Sequence, residues 1–164
     1  MSITFELCRD PQLLDQYYQL RQDCFRRELG LPEFDGSEDE RDRQGQILIA
    51  RIGDRCVGGA RIAPGAPVSN QLAELAMAPE ACCMWERFVI DPVVRTVQLV
   101  RDFCAFLIDA SRSFGYHYAL VLSSLRNARF YRQCHSALGV GFQIHRQVPD
   151  CAQGAFEGLE HYIS

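Results

Sequence analysis

Residues 85–131 read WERFVIDPVVRTVQLVRDFCAFLIDASRSFGYHYALVLSSLRNARFY, and the fold turns on how this stretch is punctuated. Residues 83–90 form a short apolar run with aromatic and β-branched members, and Asp91-Pro92 breaks it, which predicts a strand followed by a turn. From Val97 onward the apolar residues Leu99, Phe103, Phe106, Leu107 and Ala110 recur at helical intervals. Gly115 is placed to end that helix. Residues 118–122 give a second buried-looking strand, and Ser123 or Ser124 can cap a further helix. Strand, helix, strand at these lengths is a βαβ unit, so the two strands are expected to be parallel neighbours. The chemistry is expected there.

Working outward, Ile3, Phe5 and Leu7 alternate with polar residues and suggest a half-buried first strand. Asp10-Pro11 is a helix start, a capping side chain followed by proline in the first turn. Leu13, Leu14, Tyr17, Tyr18, Cys24, Phe25 and Leu29 follow at helical spacing, and Gly30 ends the helix. Residues 31–45 are polar and rich in acid (Glu33, Asp35, Glu38, Asp39, Glu40, Asp42), which on composition alone reads as a solvated loop or a short helix. Residues 46–52 and 55–63 are strand-like and joined by Gly53-Asp54, a hairpin pair. Residues 68–77 suggest a short helix, 139–145 a glycine-rich turn into a strand, 151–158 a loop, and 160–163 a last strand. The expected class is therefore mixed α/β, with a mainly antiparallel front half.

Composition bounds the partners. A chain of 164 residues without repeats or linkers is expected to be one domain, residues 1–164, able to bury a proper core. Its net charge of −4 gives no support for nucleic-acid or anionic-membrane binding. The 17 basic residues are all arginine, which leaves no lysine for Schiff-base chemistry. Eight cysteines without a CxxC pair read as buried free thiols, and no metal is expected. His117, His135, His145 and His161 stand at no catalytic or metal-binding spacing and are read as non-catalytic. The N-terminus lacks a charged and apolar leader, and no apolar run approaches the ~20 residues of a membrane span, so a cytoplasmic location is expected.

The element order resembles that of the GNAT acyltransferases, whose central sheet holds two splayed parallel strands with an acyl thioester in the gap. Within that superfamily the chain is most similar to autoinducer (acyl-homoserine-lactone) synthases and N-acyl amino acid synthases. Four features carry the likeness in order: Arg21 with Phe25, the acidic pair Asp39 and Asp42, the strand VGGARIAP with Arg61, and WERFVID with Glu86, Arg87 and Phe88. Glu86 directly precedes Arg87, where the synthases place the glutamate three residues before the arginine. Strand alternation puts the Glu86 and Arg87 side chains on opposite faces.

The resemblance implies a set of roles. Phe88, Val89 and Ile90 would offer strand backbone to the donor. Arg95, Thr96, Val97, Gln98 and Leu99 stand where a GNAT pyrophosphate loop presents amides to anionic phosphates. Both loop glycines are missing, as in synthases that draw acyl groups from acyl carrier protein, which favours an acyl-phosphopantetheine arm over acyl-CoA. Tyr131 resembles the tyrosine that protonates the leaving thiolate, with Ser124 and Asn127 beside the donor. Glu86 is the candidate base. Arg21, Phe25, Asp39, Asp42, Arg61 and Arg87 would orient a small-molecule amine. A coenzyme-A-dependent acetyltransferase and a binding domain without turnover remain alternatives, and a homodimer through the last strands stays open.

Overall fold

In a computed structural model, residues 2–148, 156, 159 and 161–164 are described. The elements are β1 (Thr4–Leu7), α1 (Pro11–Glu28), α2 (Glu40–Gln44), β2 (Gln46–Ile52), β3 (Arg55–Pro64), α3 (Ser69–Glu74), β4 (Cys82–Ile90), α4 (Val97–Ser113), β5 (Tyr118–Ser123), α5 (Leu125–Ala137) and β6 (Tyr162–Ile163). The six strands stand in chain order across the sheet, antiparallel everywhere except between β4 and β5. The mixed α/β class and the parallel βαβ pair expected from the sequence are both present. Among the described residues no helix is long and apolar enough to cross a membrane.

Both faces of the sheet are covered because β2 and β4 are apolar on both sides. Leu48, Ile62, Trp85 and Ile90 face Leu99, Phe103 and Leu107 of α4. Ile47, Ile49, Cys56 and Val89 face Tyr17 and Cys24 of α1. Helix starts follow side-chain chemistry: Asp10 accepts from the amides of Gln12 and Leu13, Thr96 from Leu99, and Ser124 from Asn127. Gly115, at φ 88°, turns the chain out of α4 in a conformation that side chains resist.

Two irregularities position the site. Strands β4 and β5 pair only from Cys82 with Tyr118 to Trp85 with Val121. Beyond that point β5 turns to pair with β6, and, among the described residues, positions 86–90 keep β3 alone as a strand partner. The second irregularity is a bulge: the β3 register passes from Gly59 opposite Val89 to Arg61 opposite Glu86, so Ala60 spans both Arg87 and Phe88. Arg87 takes φ 55°, which breaks the alternation of side chains.

Three expectations need correction. Residues 31–45 are not only a solvated loop: Asp39 and Asp42 form a capping box for α2, and Asp42 is buried. Residues 139–145 form no strand. The amides of Gly139 and Val140 are used to close α5 on Ser136 and His135, the Phe142 ring lies tilted against His135, and only His145 bridges to Ile163. The last strand begins at Tyr162; its expected start, Glu160, and most of the expected loop at 151–158 lie outside the described residues.

Candidate active site

The parting of β4 from β5 opens a cleft of about 860 Å³. The free edge of β4 forms one wall, with Glu86, Arg87, Phe88, Val89 and Ile90. The start of α5 forms the facing wall, with Ser124, Asn127 and Tyr131. Phe25, Arg41 and Arg61 close the side toward α1 and α2, and Arg95 stands at the turn into α4.

Glu86 is held by two arginines. Arg61 donates from Nε to Oε2 at 2.6 Å, and Arg41 donates from Nη2 to Oε1 at 2.6 Å. Arg61 is 2% exposed and also donates to Asp39 at 2.7 Å and Asp42 at 2.9 Å. Arg21, 1% exposed, meets Asp42 in a fork at 2.9 and 2.6 Å and donates to the carbonyls of Gly36 and Ser37. Burial alone would push the Asp42 carboxyl up; the bonds from Arg21 and the Asp39 amide, with the charges of Arg21 and Arg61, instead hold it at about 2. Arg21, Asp39 and Asp42 therefore form the frame behind the cleft and do not line it.

The bulge turns Arg87 toward the same cluster that holds Glu86, so the expected opposition of the two side chains is overturned. Among the described residues its Nη2 lies 3.8 Å from Asp39, a loose pair, and its buried Nε has no hydrogen-bond partner. The guanidinium carbon stands 4.4 Å from the Phe156 ring centroid and 5.3 Å from that of Phe34. Burial, and then the charge of Arg61, push Arg87 down to about 10, so it is still a cation at neutral pH. Among the described residues four guanidiniums (Arg21, Arg41, Arg61, Arg87) here face three carboxylates (Asp39, Asp42, Glu86), and Arg87 is the one left poorly matched.

Tyr131 faces the cleft from α5 with its ring edge-on to Phe88, centroids 5.8 Å apart. Burial, with Cys104 and Cys134 close by, pushes its phenol above the ordinary tyrosine range, so it stays protonated. The seven described cysteines are free and buried. Burial pushes Cys56 and Cys83 up to about 11 and Cys104 to about 12, which removes them as nucleophiles at neutral pH. Cys24, the one described cysteine that lines the cleft, is raised by the same cause. Among the described residues no group of three or more His, Cys, Asp or Glu side chains is placed to hold a metal ion.

The turn into α4 differs from the expected donor loop in use. Arg95 and Val100 reach the cleft, whereas Thr96, Val97, Gln98 and Leu99 do not line it. Thr96 caps the helix, Gln98 bonds Asp102, and Leu99 is in the core. Sequence reading missed Arg41, Phe34 and Tyr17. Arg41 hides between two acids in the polar stretch, and Phe34 is a lone aromatic in that stretch. Tyr17 was readable in part: Gly58-Gly59 within a strand signals close approach of another group.

A sheet with one splayed parallel pair, α4 crossing between its strands and a cleft at the parting, is the fold of the GNAT acyltransferases. No protein-family model matches the chain, and no curated protein matches its sequence. Solved structures match over 79–99% of the chain. A candidate N-acetyltransferase from Lactobacillus plantarum superposes with TM-score 0.73 at 16% identity, over 99% of this chain and 96% of that one. The AHL synthase LasI gives 0.69 at 14% identity, over 99% and 88%. FeeM, an N-acyl amino acid synthase from uncultured soil microbes, gives 0.62 at 9% identity, over 79% and 76%. At these identities the likeness is one of fold.

Proposed function

We propose that the protein is an N-acyltransferase that moves an acyl group from a thioester to the amine of a small polar metabolite. The carrying observation is the cleft where β4 leaves β5, with Glu86 on one wall and Tyr131 on the other. The unpaired edge of residues 86–90 offers backbone N–H groups to the thioester carbonyl, where negative charge develops on its oxygen. The amine nitrogen attacks that carbon, the C–S bond breaks, and the departing sulfur takes the proton of Tyr131. The amine gives up its proton to Glu86 directly or through water, at Oε1, which takes a single arginine bond whereas Oε2 is filled by Arg61. The products are an amide and a free thiol, with no covalent enzyme intermediate, in keeping with the neutral cysteines.

The acceptor enters from the side of Arg87, Phe25 and Phe34. An amine that also carries an anionic group would match the guanidinium left short of a partner. The donor arm runs between the strands toward Arg95, and an acyl-phosphopantetheine on acyl carrier protein suits this glycine-poor turn better than acyl-CoA. The test is release of thiol from a panel of acyl carrier protein and coenzyme A thioesters with pooled amines. Acceptor-dependent release from any donor supports the reading. Saturable donor binding with no release in any mixture would mean that the chain binds thioesters without turning them over.

A further inference from the structure

At the mouth of the cleft, Arg95 makes contacts that the reaction above does not use. It stands at the turn into α4, where a diphosphate approaching a helix N-terminus would draw on a nearby cation. That cation is already committed. Arg95 donates from Nε and Nη2 to the Ile90 carbonyl at 3.1 and 2.7 Å, and from Nη1 and Nη2 to Glu28 at 3.2 and 2.6 Å. Among the described residues only one of the guanidinium's N–H groups is then without an acceptor. Glu28 is the last residue of α1 and itself lines the cleft.

The turn has little to offer an anion in place of Arg95. Asp91 accepts the Val93 amide at 3.0 Å, Thr96 accepts the Leu99 amide at 3.0 Å, and Asp102 accepts from the Gln98 side chain at 2.7 Å. Those two amides are spent, and the cations beside the turn are already paired, Arg95 with Glu28 and Arg55 with Asp91, while Asp102 adds a further carboxylate. Val93 and Val97, 84% and 56% exposed, add apolar surface to the same turn. A ligand bearing several phosphate charges meets cations that carboxylates already hold, and few donors, here. A neutral or singly phosphorylated arm loses less.

We infer that Glu28, through its pair with Arg95, sets the donor preference by weakening coenzyme A relative to a phosphopantetheine arm. The inference rests on the acyltransferase reading. Glu28 is a positioning residue that acts on Arg95 and on the field at the turn. The Arg95–Glu28 side chains are 36% and 41% exposed, so the bond between them is weak and the effect lies in the carboxylate's charge.

The experiment is calorimetric titration of coenzyme A, 4′-phosphopantetheine and pantetheine into the wild type, Glu28→Gln and Glu28→Ala. Removing the carboxylate is expected to tighten coenzyme A about tenfold, 4′-phosphopantetheine by less, and pantetheine not at all, with the gain shrinking as salt is raised. Unchanged or weaker coenzyme A binding in both variants, with pantetheine still bound, would overturn the role of Glu28 alone. Wild-type protein that binds none of the three probes would overturn the acyltransferase reading beneath it.

Discussion

Tyr17 donates its hydroxyl hydrogen to the carbonyl oxygen of Arg87 at 2.9 Å, across 70 positions of sequence. The tyrosine is fully buried, and its ring occupies the space where a Cβ on Gly59 would come within 2.3 Å. A helix on one face of the sheet thus grips a strained bulge in β4. That grip brings Arg87 into the cleft beside Glu86.

Strain at Arg87 has a measurable sign. A side chain at φ 55° costs about 1–2 kcal/mol that glycine does not bear. Arg87→Gly is therefore expected to be about 1 kcal/mol more stable than Arg87→Ala in urea unfolding, the reverse of the usual order in a strand. Equal stabilities, or a more stable alanine variant, would show that the bulge relaxes once the arginine is gone. Both variants should raise KM for an anionic acceptor more than they lower kcat.

Gly59→Ala tests the grip from the other side. The added methyl meets the Tyr17 ring, which is fixed both by packing and by its bond to Arg87. A loss of about 1–3 kcal/mol is expected from overpacking. Acceptor KM should rise with it, because the ring cannot yield without releasing the bulge. A stable variant with unchanged KM would mean that Tyr17 and Arg87 are not coupled.

Tyr131→Phe removes only the phenol oxygen and leaves the edge-on contact with Phe88. Turnover is expected to fall by about 10²–10⁴, the range for a positioned general acid, while donor binding and unfolding free energy stay close to wild type. The raised phenol predicts no loss of wild-type activity through Tyr131 ionisation across neutral and mildly alkaline pH. Full turnover in the phenylalanine variant would leave Tyr131 a packing residue.

The parts of the chain that read correctly carry their own signal. The βαβ unit does so because α4 has a helical apolar period, β5 a buried run, and the two are separated by Gly115. Asp10 and Ser124 mark helix starts by side-chain chemistry within three residues. The bulge at Arg87 does not, because nothing local favours positive φ in arginine; the conformation is imposed by Tyr17. Glu86 was legible as a site residue only through a motif. Its two arginines, Arg41 and Arg61, come from 45 and 25 positions away. Residues 139–145 misled because valine, phenylalanine and isoleucine alternate there as in a strand, while the amides of Gly139 and Val140 are drawn into closing α5.

The frame behind the cleft should fail in acid. Asp42 has an ordinary carboxyl value of 3.8 and is held at about 2 in the folded protein. A carboxyl depressed by folding stabilises the fold fully above its unfolded value, and that contribution is lost as pH falls through the folded one. Wild-type stability should accordingly drop between pH about 4 and about 2 beyond what the exposed carboxylates explain. Asp42→Asn leaves Arg21 buried without its counter-charge and takes one of the carboxylates from Arg61, and is expected to cost about 3–5 kcal/mol at neutral pH. In the same variant the acid limb should flatten, since the group that titrates there is gone. Urea unfolding of both proteins from pH 2 to 7 decides it: parallel pH profiles would show that Asp42 is not the residue on which acid acts.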